Sequence, residues 1–291
     1  MKRKFKVISI YSSISNVKVR QIALQLEEII KNLNLKVILP KSSSIKSDQK
    51  TRLYSDTYIV KNADLIIAIG GDGTLLSSSR RFGSKGVPIL GINLGNLGFL
   101  TDIAPEDLTS SLKEIINGNY SEDKRSFLNS SINSSLKNYL SLNEVVIHSN
   151  SIAQLIEYEL FIDGSFVYRQ RADGLLISTS TGSTAYSLSG NGPIVHPNVQ
   201  ALTLLPMFPH SLNTRPLIVD EGSKILIKIC EKGNAGMSLD SHHKINLKKN
   251  DHVHLSKAKS ELTLIHPKDH DFYSACRNKL GWSMGITSKK T

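Results

Sequence analysis

The chain of 291 residues holds only two cysteines, Cys230 and Cys276, and their spacing suits no thiolate metal site. That argues against a disulfide framework and for reduced thiols in a cytoplasmic protein. No apolar run reaches the length of a membrane span, so no membrane partner is expected. The basic start leads into Val7-Ile8-Ser9-Ile10-Tyr11, which is too short and too interrupted for a secretory signal. Familiar catalytic signatures are missing as well. There is no Gly-x-Ser-x-Gly elbow after a strand, no glycine loop ending in Gly-Lys-Ser or Gly-Lys-Thr, and no internal repeat. His242-His243 and His252-Val253-His254 invite a zinc reading, but no cysteine or carboxylate cluster accompanies them, so they read as surface or strand histidines. Net charge is +11, yet the basic residues are scattered and no aromatics are interleaved with them. A nucleic-acid partner is therefore not expected, whereas a positive field suits phosphorylated small molecules.

What is present is a real core, with hydrophobic residues at 40% and charged residues at 21%. The first part alternates strand and helix. Phe5 to Tyr11 reads as a strand; Val19, Ile22, Ala23, Leu26, Ile29, Ile30 and Leu33 form a helical stripe behind a cap at Ser15 or Asn16. Leu35 to Leu39 returns as a strand, and Lys41 to Asp56 reads as a polar loop with a weak helix. Leu65 to Ile69 and Val87 to Ile92 read as buried strands with a helix through Arg81-Phe82 between them, and Pro105-Glu106-Asp107 opens another helix. After about residue 120 the pattern shortens to strands and turns, with Asp163-Gly164 as a hairpin signal. The expectation is an α/β plus all-β protein: residues 1–120 an open, Rossmann-like α/β nucleotide-binding domain, residues 121–267 a β-sandwich-like domain, and the tail 268–291 packing back on the first. A short helix is expected from Asp271 to Leu280.

The chemistry centres on Gly70-Gly71-Asp72-Gly73-Thr74, which follows a buried strand and opens a helix. Backbone N–H groups at the positive end of a helix form an anion site, and Asp72 is the single charged group within it. A phosphate cradle around one carboxylate suggests phosphoryl transfer, with Asp72 a base or a metal ligand; a tight turn with Asp72 as helix cap explains the same residues. Asn143-Glu144 precedes an apolar strand, where Asn can pair with a base edge and Glu with a hydroxyl or amine. Thr181 to Gly190, preceded by Arg171-Ala172-Asp173-Gly174, is dense in glycine and small hydroxyl residues, so backbone and hydroxyls approach a ligand closely, and Tyr186 can bond or stack.

These segments, in order, with Gly95-Asn96-Leu97-Gly98-Phe99-Leu100-Thr101-Asp102, Pro206 to His210, Arg215-Pro216-Leu217 and Leu280-Gly281-Trp282, resemble the NAD kinase family over roughly residues 60 to 282. The resemblance implies an α/β domain and a β-sandwich domain carrying much of the NAD site, which a neighbouring subunit completes in a homodimer or homotetramer. It implies transfer of the ATP γ-phosphate to the adenosine 2′-hydroxyl of NAD, giving NADP, with a divalent ion, Mg2+, accompanying ATP. Carried over position by position, Asp72 is the proton acceptor or a Mg2+ ligand, Gly71 and Gly73 are backbone contacts, and Phe99 belongs to the binding set. Asn143 reads the adenine and Glu144 takes ribose hydroxyls or metal. Thr184, Ala185, Tyr186 and Ser189 line the dinucleotide site, while Asp173 and Arg171 reach the nicotinamide end or phosphates. Arg171 resembles members restricted to ATP rather than inorganic polyphosphate. Gln154 and His242 join the binding set at positions where the family varies. A lipid or sphingoid-base kinase shares the Gly-Gly-Asp-Gly turn, and a non-catalytic NAD(P)-binding regulator is a third reading.

Overall fold

In the computed structural model, which describes residues 4–45, 52–95, 98–151, 154–211, 213–230 and 235–282, the chain divides into two compact units. One comprises residues up to Lys124 and from Glu261 on, the other Arg125–Ser260.

In chain order the first unit holds β1 (Val7–Tyr11), α1 (Val17–Asn32), β2 (Lys36–Pro40), β3 (Leu53–Tyr54), α2 (Asp56–Asn62), β4 (Leu65–Ile69), α3 (Asp72–Arg81), β5 (Ile89–Ile92) and α4 (Leu108–Ile116). All five residues of β4 are buried because parallel neighbours flank it and helices cover its faces. The pairs β3–β2, β2–β1, β1–β4 and β4–β5 are all parallel, so the order reverses between β1 and β4. In open α/β sheets that reversal leaves a crevice beyond the carboxyl ends of the strands, and the glycine turn after β4 opens there. α1 forms as its stripe predicts. Asn16 accepts from the Val19 N–H at 2.8 Å as N-cap, and Val19, Ile22, Ala23, Leu26 and Ile30 are buried against the sheet, each contributing roughly 1–3 kcal/mol. The segment read as a loop with a weak helix instead contains β3 and runs into α2, whose N-cap is Ser55; residues 46–51 lie outside the described residues.

The second unit carries β7 (Tyr139–Ser141), β8 (Glu144–Ser149), β9 (Ile156–Ile162), β10 (Ser165–Ala172), β11 (Gly174–Thr179), α5 (Tyr186–Ser189), β12 (Ala201–Met207), β13 (Leu217–Asp220), β14 (Ile225–Ile229), β15 (Ala235–Leu239) and β16 (His243–Leu247). Two long strands, β6 (Tyr120–Ile132) and β17 (His252–Pro267), have residues in both units, and α6 (Phe272–Leu280) follows β17. One antiparallel sheet runs β13-β12-β11-β8-β15-β16. The second joins β10, β9, β14 and the first part of β17, also antiparallel. Val145, Ile147, Leu175 and Ile177 of the first sheet share a core with Tyr158, Leu160, Ile225 and Val253 of the second, the packing of a β-sandwich. Asp163 (φ 50) and Gly164 (φ 83) turn the β9–β10 hairpin, two consecutive positive φ values as a type I′ turn requires.

Candidate active site

In the α/β unit, Asp72 does not cap its own helix. The N-cap of α3 is Gly71, without a side-chain bond, and the Asp72 carboxylate turns to the segment 98–101. Its Oδ2 accepts from the Phe99 N–H at 3.2 Å; its Oδ1 accepts from the Leu100 N–H at 3.2 Å and from the Thr101 hydroxyl at 3.3 Å. Lys279, on α6, brings its ammonium 3.6 Å from Oδ2 and lies over the Phe99 ring, 5.2 Å from its centroid. Thr101 is held in turn by Asn93, whose Nδ2 donates to the hydroxyl at 2.9 Å. The carboxylate is thus fixed by donors on one side while its side chain stays 30% exposed. A Cβ at Gly71 or Gly73 would meet nothing within 4 Å, so both glycines face open space, whereas one at Gly70 (φ 155) would lie 2.3 Å from the Thr74 hydroxyl. An open glycine backbone beside one oriented carboxylate can receive a polyphosphate and accept a proton close by. Asn96 and Leu97 of the motif lie outside the described residues.

In the β unit, Asn143 and Glu144 stand where the chain enters β8, and a buried acid pins them. Asp240, in the turn after β15, accepts from the N–H groups of Asn143 (2.8 Å) and Glu144 (3.2 Å) through Oδ1 and of Leu142 (3.1 Å) through Oδ2. The turn from Thr181 to Ser189 folds back on them. Gly182 is required there, since a Cβ would lie 2.1 Å from the Asn143 carbonyl oxygen, and the Tyr186 backbone N–H bonds the Glu144 carboxyl. Burial, with the Asp240 charge adding, pushes the Glu144 carboxyl up to about 8 against that bond. Asn143 Oδ1 and Glu144 Oε2 are buried without a hydrogen-bond partner among the described residues. Buried polar atoms are ordinarily paired, so these two can accept or share hydrogen bonds with polar groups of a ligand.

Tyr186 also lines a cleft of about 460 Å³ with Gln154 and Asp173, bringing three of the expected binding residues to one surface. Thr184 and Ala185 lie just before Tyr186, and Ser189 is exposed at the end of α5. Arg171 and His242 are not among the lining residues of that cleft. Arg171 is exposed at the end of β10, and His242 is exposed in the turn after β15 with its Nδ1 2.7 Å from the Asp240 carbonyl. Gly98 and Thr101 belong to the second glycine-rich motif, whereas Lys279 and Asp240 lie in no motif of the sequence. Asp240 and Lys279 lie far along the chain from the residues they hold, 97 and 207 positions from Asn143 and Asp72 respectively (240 − 143 and 279 − 72), and no local pattern announces such pairings.

An open α/β unit carrying a Gly-Gly-Asp-Gly turn, joined to an antiparallel sandwich with a dense hydroxyl turn, defines a two-domain phosphotransferase. Residues 12–120 match the ATP-NAD kinase N-terminal domain and residues 142–267 the ATP-NAD kinase C-terminal domain. The NAD kinase of Teredinibacter turnerae is 41% identical over 287 residues, covering 97% of this chain and 98% of that protein. The NAD kinase of Marinobacter nauticus is 40% identical over 291 residues, covering 98% and 99%. Among solved structures, yeast NADH kinase in complex with NADH superposes with a TM-score of 0.84 at 26% identity, covering 99% of this chain and 90% of that one. An NAD kinase from Archaeoglobus fulgidus in complex with ATP gives 0.72 at 26% identity, covering 94% and 97%. The chain belongs to the NAD kinase family. Its reaction is the ATP-dependent phosphorylation of NAD to NADP, and ATP dependence implies a divalent metal ion. The matches support neither the lipid-kinase nor the regulator reading.

Proposed function

We propose that Asp72 accepts the proton of the adenosine 2′-hydroxyl as that oxygen attacks the γ-phosphorus of ATP. The observation that carries this reading is the carboxylate itself, fixed by the Phe99 and Leu100 N–H groups and the Thr101 hydroxyl beside an open glycine backbone. A ribose hydroxyl is a weak nucleophile until its proton has somewhere to go, and a positioned acceptor contributes about 100- to 10,000-fold. The Gly71 and Gly73 backbone serves the phosphates, and Phe99 holds the loop beside them. Phosphoryl transfer needs positioning and charge neutralisation more than covalent help. Mg2+ suits oxygen donors: as a hard cation it would be held chiefly by the phosphate oxygens, and the partly exposed Asp72 carboxylate would be its ligand in the alternative to the base assignment. When bound it neutralises phosphate charge.

Asn143 reads the adenine edge and Glu144 takes the ribose hydroxyls. With burial holding its value near 8, Glu144 at neutral pH is a protonated acid that both donates and accepts. Tyr186, Thr184, Ala185 and Ser189 receive the dinucleotide, Asp173 and Gln154 extend its surface, and Arg171 and His242 supply outlying contacts, Arg171 favouring ATP over polyphosphate. The assembly is a homodimer or homotetramer in the cytoplasm; no helix among the described residues is long and apolar enough to cross a membrane. Incubated with ATP and NAD, the protein is expected to yield NADP that an NADP-specific dehydrogenase consumes. Chelator stops the reaction, Mg2+ restores it, and polyphosphate does not replace ATP. Full-rate NADP formation in chelator would refute the metal assignment, and light scattering of the native protein reads the oligomer.

A further inference from the structure

We infer that Asp102, His266 and His270 form a binding site for a divalent transition ion of the zinc type, separate from the ion that accompanies ATP. His266 lies at the end of β17 and His270 four residues later, before α6, while Asp102 directly follows the segment that fixes Asp72. Both imidazole Nδ1 atoms converge on one carboxylate oxygen: Asp102 Oδ2 is 2.8 Å from His266 and 2.9 Å from His270. The rings stack with centroids 3.9 Å apart and an interplanar angle of 13°, so seating an ion in both ring planes requires the partly exposed His270 ring to turn. The three ligand atoms lie within 4.8 Å of one another. Metal–ligand bonds of about 2.0–2.2 Å separate tetrahedral ligands by roughly 3.4 Å, so seating an ion spreads the closest pairs by only about half an ångström.

Two further features fit an ion better than a plain hydrogen-bonded cluster. The far nitrogen of His266, Nε2, lies 3.6 Å from Asp123 Oδ2, too long for a hydrogen bond but placed so that this carboxylate would hold the proton on Nε2 once an ion displaced the proton that Nδ1 shares with Asp102. The second oxygen of Asp102, Oδ1, is buried and has no hydrogen-bond partner among the described residues, although a carboxylate can bind an ion through both oxygens. Asp102 and His270 line a cleft of about 430 Å³, which gives an ion a route in and water an open coordination position. Two imidazoles and one carboxylate select Zn2+, Co2+ or Ni2+ over Mg2+ or Ca2+. A bound ion would tie the end of β17 to residue 102 and so brace the neighbouring segment that holds Asp72.

Metal binding at this cluster requires none of the catalytic assignments, and its test reads metal alone. The full-length chain without an affinity tag, stripped with chelator, is titrated with Co2+ and followed by d–d absorption and calorimetry. One equivalent is expected to bind with the absorption of a low-coordinate nitrogen–oxygen site, Zn2+ to abolish the bands, and excess Mg2+ to leave them. His270→Ala and His270→Asn should each lose the absorption while keeping the wild-type circular dichroism. Asp123→Asn should weaken binding about 10- to 100-fold, as outer carboxylates do. His254→Ala, which alters the surface pair with His252, should leave it unchanged. No Co2+ absorption in the wild type, or absorption that survives both His270 variants or vanishes with His254→Ala, would overturn the inference.

Discussion

Replacing Gly98 by alanine would place a Cβ 2.2 Å from Asp72 Oδ1 and 2.4 Å from Thr101 Oγ1, well inside the 3.0 Å that real Cβ contacts essentially never breach. Both obstacles are side-chain ends, so the backbone stays and the carboxylate swings away. It then loses the bonds from the Phe99 and Leu100 N–H groups and the Thr101 hydroxyl. Each such bond to a charged group is worth about 1.5–3 kcal/mol when desolvated, but water reaches Asp72 and replaces much of that. The expected stability loss is therefore about 1–2 kcal/mol, a fall of a few degrees in Tm. Rate suffers more, because a catalytic group displaced by about 1 Å loses on the order of 100-fold. NADP formation, followed with an NADP-specific dehydrogenase, should fall about 100-fold in kcat/KM. Gly95→Ala is the control, since its Cβ would meet nothing within 4 Å. Gly98→Ala turning over within about twofold of wild type would refute the argument that this contact sets the carboxylate's position.

Three other substitutions test the remaining parts of the site. Gly182→Ala drives a Cβ to 2.1 Å from the Asn143 carbonyl, a backbone atom that cannot step aside; thermal unfolding should show a loss of about 1–3 kcal/mol, with KM for NAD raised. Lys279→Met removes an exposed ammonium 3.6 Å from Asp72, and steady-state assays should find kcat/KM lowered by only about two- to tenfold. Glu144 has a folded value of about 8 against 4.5 ordinarily, so the folded state keeps a proton that the unfolded chain has released. Its contribution to stability is present below pH 4.5 and is lost as pH rises through 8. Urea titrations across that window should show Glu144→Gln with a flatter pH dependence, the difference reaching at most about 1.4 kcal/mol per pH unit. Parallel curves for variant and wild type would contradict a buried, protonated Glu144.

Local pattern carried much of the fold. The stripe of α1, the all-apolar β4 and the Asp163-Gly164 hairpin are visible because period and turn chemistry agree. β12 carries a weak strand signature in the sequence because Pro206 and Pro209 punctuate Ala201–Met207 and its surroundings. Its partner β13 pairs only with residues 201–204, so Pro206 has no donor to supply on that side. β6 was hidden by charged residues, Glu122, Asp123, Lys124 and Arg125, which interrupt any apolar alternation. In the site, Asp72, Asn143, Glu144 and Tyr186 are legible as motif residues, whereas their supports come from distant parts of the chain. Asp240 beneath Asn143-Glu144 and Lys279 beside Asp72 become apparent only when the strands and helices are assembled. His266 and His270 lay outside the histidine pairs that the sequence brought forward, because their third member, Asp102, is 164 residues from His266.

The role of Asp72 as proton acceptor is tested most directly by Asp72→Asn, which keeps the shape of the side chain and removes its basicity. The variant is expected to fold with the wild-type circular dichroism, to bind NAD by calorimetry, and to form NADP at least about 100-fold more slowly under saturating Mg-ATP and NAD. Near-normal turnover by Asp72→Asn would contradict the account.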